Sequence, residues 1–118
     1  MQLTDGEFHP ASWVYVWTRP GGEVLYVGAT GLPLAARVWL HANDERPEVG
    51  RVRAHRPDAL TGDVIVRGFP VPPELDRGAV RQCLEAMLAQ PLQIDRSDFD
   101  DAVVAEATRI HEALGLAP

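Results

Sequence analysis

A chain of 118 residues, 46% apolar and 24% charged, has the size and make-up of one soluble domain with a modest buried core; it excludes wholesale disorder and shows no sign of a second domain. A formal charge of −6 argues against indiscriminate nucleic-acid binding, which draws on a basic excess. No apolar run approaches the ~18 residues of a membrane span and the opening MQLTDGEFHP lacks the layout of a secretory signal, so no membrane partner and a cytoplasmic location are the default expectations.

Residues 13–17, WVYVW, alternate as a strand, with Trp13, Tyr15 and Trp17 on one face and Val14 and Val16 on the other. Residues 24–29 repeat that period, and the TRPGGE between them is built of turn formers, so the two runs form an antiparallel hairpin. Pairing Trp17 with Val24 sets Tyr15 opposite Tyr26 and Trp13 opposite Gly28, with both phenols on one face. A one-residue slip would separate them. The two tyrosines read either as a cross-strand aromatic pair or as two phenols lining one site. Gly28 marks either a bulge or a place where a side chain would obstruct close approach.

In TGLPLAARVWLHANDERP, Pro33 suits a first helical turn and Pro47 lies beyond the helix end. Leu34, Arg37, Val38 and His41 share one arc of this helix. The apolar pair docks on the sheet, and Arg37 and His41 flank that contact, looking toward the hairpin face. Residues 44–62 support at most a short helix around 48–55, and DVIVRGF at 63–69 is a third strand closed by PVPP.

From about Glu74 to Gln90, Val80, Cys83, Leu84, Met87 and Leu88 recur at the spacing of a core-facing helix, with Glu85 at the edge of the stripe and Pro91 as its stop. Cys83, the single cysteine, has no second thiol in the chain to bridge with and reads as core packing. A last helix runs from Asp98 to Leu114, with Ser97 or Asp98 as cap, Phe99, Val103, Ala107, Ile110 and Leu114 buried, and Gly115 at its end. The fold class is α/β: a small, mainly antiparallel three-stranded sheet flanked by helices.

Charge is unevenly spread. Residues 46–56 hold Arg46, Arg51, Arg53 and Arg56 against Glu48, whereas six acids stand against Arg96 and Arg109 over 95–118. Arg51, Arg53 and Arg56 read either as phosphate contacts or as a solvated strip. The absence of lysine among eleven basic residues is a matter of composition and carries no functional weight. His9, His55 and His111 have no metal-ligand spacing.

WVY followed by YVG resembles the paired signature of the GIY-YIG endonucleases, in which a tyrosine-bearing hairpin leads to a helix carrying Arg and often His. Tyr15 and Tyr26 are eleven positions apart, Arg37 follows eleven later and His41 four after that. Glu85, in CLEAML, matches the family's metal-binding glutamate; the resemblance covers residues 13 to about 93 and leaves the C-terminal helix, about 98–114, unassigned. It implies a divalent-metal-dependent endonuclease acting on nucleic acid, with DNA the expected substrate and Mg²⁺ (or Mn²⁺) the cofactor. Tyr15 or Tyr26 would act as general base, Arg37 would grip the scissile phosphate, and Glu85 would be the sole protein carboxylate on the metal. His41 would assist proton movement or the leaving group, and Gly28 would admit the substrate; without the resemblance His41 reads as a solvated helix residue, and Glu85 as the partner of Arg81 one turn earlier.

The pattern also departs from the family's. Trp13 stands where the signature has Gly, Ala29 and Thr30 follow the second motif where a basic residue is common, and QPLQ offers Gln93 in place of the customary Asn. The alternative expectation is therefore a catalytically weakened nucleic-acid- or protein-binding module on the same scaffold. An interaction protein that docks a basic partner on its acidic last helix is a further one.

Overall fold

The computed structural model describes residues 2–4, 12–89 and 98–115. Its elements are β1 (Gln2–Thr4), β2 (Trp13–Thr18), β3 (Val24–Thr30), α1 (Leu34–Asn43), α2 (Arg51–His55), a 3₁₀ turn over Pro57–Leu60, β4 (Ile65–Pro70), α3 (Arg77–Ala89) and α4 (Asp101–Leu114). The strands order as β1-β4-β2-β3. β2 runs antiparallel to both β3 and β4, as the three-strand expectation requires. β1 adds a parallel edge to β4, a segment too short for its period to register in the sequence.

β2 is buried along its whole length, and its alternation serves two cores. Trp13, Tyr15 and Trp17 pack under α1, α2 and the 3₁₀ turn with Leu34, Val38, Val52 and Ala59. Val14 and Val16 face the other way, against Val80, Leu84 and Met87 of α3 and Val103, Ala107 and Ile110 of α4. A strand covered on both sides must be apolar on both, and that is why WVYVW carries no charge.

The hairpin register differs from the simplest expectation. Tyr15 lies opposite Gly28, Trp17 opposite Tyr26 and Trp13 opposite Thr30. Two local features produce the change. The turn closes with Arg19 N–H on Glu23 O (2.9 Å), and a bulge between Trp17 and Thr18 leaves Leu25 as an extra residue on β3. Each moves the register by one residue, and a shift of two keeps every side chain on its face. The phenols thus stay together but sit diagonally, with centroids 6.4 Å apart and planes at 29°. Arg19 braces the turn from outside by donating to Asp58 O (2.8 Å) and Thr61 O (2.5 Å).

α3 begins at Arg77, after Asp76 Oδ1 accepts the Gly78 N–H at 2.9 Å. The helix foreseen around 48–55 is the single turn α2. α4 starts three residues later than expected, with Asp100 rather than Asp98 at its cap and Phe99 packed on the core from outside the helix. It ends at Gly115, whose φ of 64° is left-handed. Ser97, Pro91, Gln93 and His9 lie outside the described residues. No helix among the described residues is long and apolar enough to cross a membrane.

Tyr15 on the central strand is flanked by a glycine on each neighbour, Gly28 on β3 and Gly68 on β4. A Cβ at Gly68 would overlap the Leu34 side chain, so this glycine is what lets α1 settle on the sheet. Gly68→Ala should therefore cost about 1–3 kcal/mol of stability, read as a lowered midpoint in urea unfolding.

Candidate active site

Tyr15 enters the site from β2, Tyr26 and Gly28 from β3, Arg37 from α1, Arg51 from the start of α2, and Arg81 and Glu85 from α3. Together with Val27 and Ala29 they line one cleft of about 150 Å³. β3 is an edge strand, and both of its faces contribute: Tyr26 packs with the α1 layer, Val27 and Ala29 with the α3 layer. Helices on opposite sides of the sheet can therefore present side chains to one cleft at its margin. A larger hollow of 640 Å³ at the hairpin turn is lined by Pro20, Gly21, Gly22, Val24, Leu88, Leu114 and Gly115, none of them charged, and offers no comparable chemistry.

The interior wall of the cleft is aromatic. Tyr15 is 1% exposed, and its hydroxyl oxygen lies 2.5 Å from Nε2 of His41. His41 has no exposed surface at all, so it is not the solvated helix residue that its spacing alone suggests. Rings of Tyr15, Trp17 and Tyr26 surround it edge-on, with centroids 5.5, 5.9 and 4.9 Å away. Burial, with smaller contributions from Arg37 and Arg51, lowers its pKa to about 3, so the ring is neutral at pH 7. Its Nδ1 faces the Val52 N–H at 3.4 Å and acts as acceptor. Nε2 then carries the proton and donates it to Tyr15 Oη. His41 reaches the cleft through Tyr15 and not directly.

Burial also raises the Tyr15 pKa well above that of a free phenol, opposed by the charge of Arg37. At neutral pH Tyr15 is a hydroxyl donor whose oxygen is already held by His41. Gly28 has its reason here: a Cβ at that position would collide with the Tyr15 phenol across the ladder. It makes room for the tyrosine, and the bulge lies elsewhere, at Leu25.

The outer wall is ionic. Arg37 Nη1 donates to Val49 O at 2.7 Å, which braces the guanidinium at the cleft. Arg81 Nη1 meets Glu85 Oε1 at 2.8 Å, with the two side chains 31% and 43% exposed. Three guanidiniums against one carboxylate make this cleft locally cationic on an acidic chain, an arrangement that attracts an oxyanion. Of the arginines at 51, 53 and 56, the cleft takes Arg51 alone. Arg53 donates to Asn43 O (3.0 Å) and Arg56 pairs with Asp58 (3.1 Å).

No family model, curated protein or solved structure matches this chain. Among the described residues no group of three or more His, Cys, Asp and Glu could hold a metal ion. A lone carboxylate still fits a hard ion such as Mg²⁺, which keeps several waters and takes its remaining ligands from substrate phosphate. Glu85 is the carboxylate that lines the cleft, and Arg81, which the sequence offers only as its helical neighbour, lines it as well.

The buried neutral imidazole makes stability depend on pH. The unfolded chain binds a proton at His41 near pH 6.5 and the folded chain only near 3, so the unfolded state holds more protons between these values. Stability should therefore fall as pH drops through this window, by at most about 1.4 kcal/mol per pH unit from this residue. Urea midpoints from pH 7 to 4 check the slope, which should be shallower in His41→Gln whatever that variant's absolute stability.

Proposed function

We propose that the chain is a divalent-metal-dependent endonuclease of the GIY-YIG kind, hydrolysing nucleic-acid phosphodiester bonds, with DNA as the favoured substrate. The observation that carries this reading is the meeting of Tyr15, Tyr26, Arg37 and Glu85, from four separate elements, around one small cationic cleft. Both the volume and the charge suit a single phosphodiester group.

Arg37, braced by Val49, and Arg51 would present their forks to the non-bridging oxygens and neutralise charge that builds up during attack. Tyr15, kept protonated by burial and oriented by His41, would donate its hydroxyl to a phosphate oxygen. Tyr26 is half-buried on the same cleft and is the phenol that solvent reaches. We assign it the proton of the attacking water, its own proton passing to solvent. Glu85 would hold Mg²⁺ or Mn²⁺, and the bound ion would supply charge neutralisation on the phosphate and a more acidic water.

A second reading has one observation in its favour: the carboxylate required for the metal is already occupied by Arg81. On that reading the cleft binds a nucleic-acid phosphate and performs no hydrolysis. Nicking of supercoiled plasmid in Mg²⁺ separates the two. Glu85→Gln and Arg37→Ala should each lose at least about 10²-fold in rate, whereas Arg53→Ala should stay within about threefold, as a surface charge does. Equal background from wild type and Glu85→Gln, with Arg37-dependent DNA binding retained, would establish the binding module instead.

A further inference from the structure

We propose that Arg81 is a positioning residue that guards Glu85: it occupies the carboxylate in the free protein and transfers to a substrate phosphate oxygen once a divalent ion takes its place. This rests on the metal-dependent reading of the cleft. The two residues stand one turn apart on α3 and both line the cleft with Arg37 and Arg51.

The contact is built to be exchanged. An arginine placed four residues before its glutamate is the less favourable order on a helix, and the pair is partly exposed, so the bridge is a labile one. Arg37 differs, because its guanidinium is tied to the backbone carbonyl of Val49. Among the described residues Arg81 bonds through Nη1 to another side chain of the same cleft and to no backbone carbonyl, so it can change partners without disturbing the chain.

Electrostatics supplies the sequence of events. With three guanidiniums and one carboxylate, the free cleft repels a cation, and Arg81 already compensates the one group that could bind it. An incoming phosphate reverses this balance: it offers oxygen ligands to the ion and a new acceptor to Arg81. Metal and substrate would therefore enter together, and the carboxylate would not hold a metal idle between turnovers.

Mn²⁺ binding followed by electron paramagnetic resonance, without nucleic acid, tests the guard directly in wild type, Arg81→Gln, Arg81→Lys and Glu85→Gln. Arg81→Gln should bind Mn²⁺ about three- to tenfold more tightly than wild type, Arg81→Lys should stay near wild type, and Glu85→Gln should lose the site. General structural damage would not tighten metal binding. In Ca²⁺, the same Arg81→Gln should bind an oligonucleotide several-fold more weakly, the opposite sign. Glu85-dependent Mn²⁺ binding that Arg81→Gln leaves unchanged would overturn the guard and spare the metal site. Absence of Glu85-dependent binding in every variant, both without nucleic acid and with an oligonucleotide added, would overturn both, and undiminished oligonucleotide affinity would overturn the transfer to phosphate.

Discussion

The hydrogen bond between His41 and Tyr15 joins α1 to the interior strand β2 through two buried rings, and the cleft is assembled around it. His41 is enclosed by the rings of Tyr15, Trp17 and Tyr26, so turning its imidazole away from Tyr15 would leave a buried ring nitrogen unsatisfied among apolar neighbours. That penalty pins the rotation of α1, and with it the side from which Arg37 arrives. It also pins the phenol of Tyr15 across Gly28, where only a glycine leaves room.

A second constraint comes from the edge of the sheet. Residues of α1 and α3 belong to different cores, separated by β2. They can meet only at an edge strand, and β3 is such a strand. The site is accordingly divided: an aromatic inner wall from the α1 layer, where charge is suppressed by burial, and an ionic outer wall to which α3 contributes Arg81 and Glu85. One wall holds its protons in place by burial and the other carries the partly exposed Arg81–Glu85 ion pair.

Opposite charges within the chain are also kept apart in their roles. Arg46, Arg56 and Arg109 are each matched to an acid within three residues on the exterior. Arg37 and Arg51 line the cleft with Arg81, and the cationic character of that small region persists although the chain as a whole is acidic. Net charge describes solubility here more than it describes the surface that an anion would meet.

Local pattern alone was enough to establish the hairpin, the two faces of WVYVW, the arc of α1, the apolar stripe of α3 and the stop at Gly115, because each depends on a periodicity or a backbone preference carried by adjacent residues. Tertiary structure alone decided the register, since the turn closure and the bulge at Leu25 together shift the pairing by two residues, which keeps every side chain on its face and so leaves no trace in the period. It also decided the state of His41, which a helical spacing leaves on a surface and the convergence of three aromatic rings encloses. Arg53 and Arg56 were indistinguishable from Arg51 in the sequence, and only the turn of α2 separates the one that faces the cleft from the two that do not. The placement of Arg81 in one cleft with Arg37 and Arg51 depends on side chains from three helices, on opposite sides of the sheet, converging at its edge, a juxtaposition of distant segments that no local window can contain.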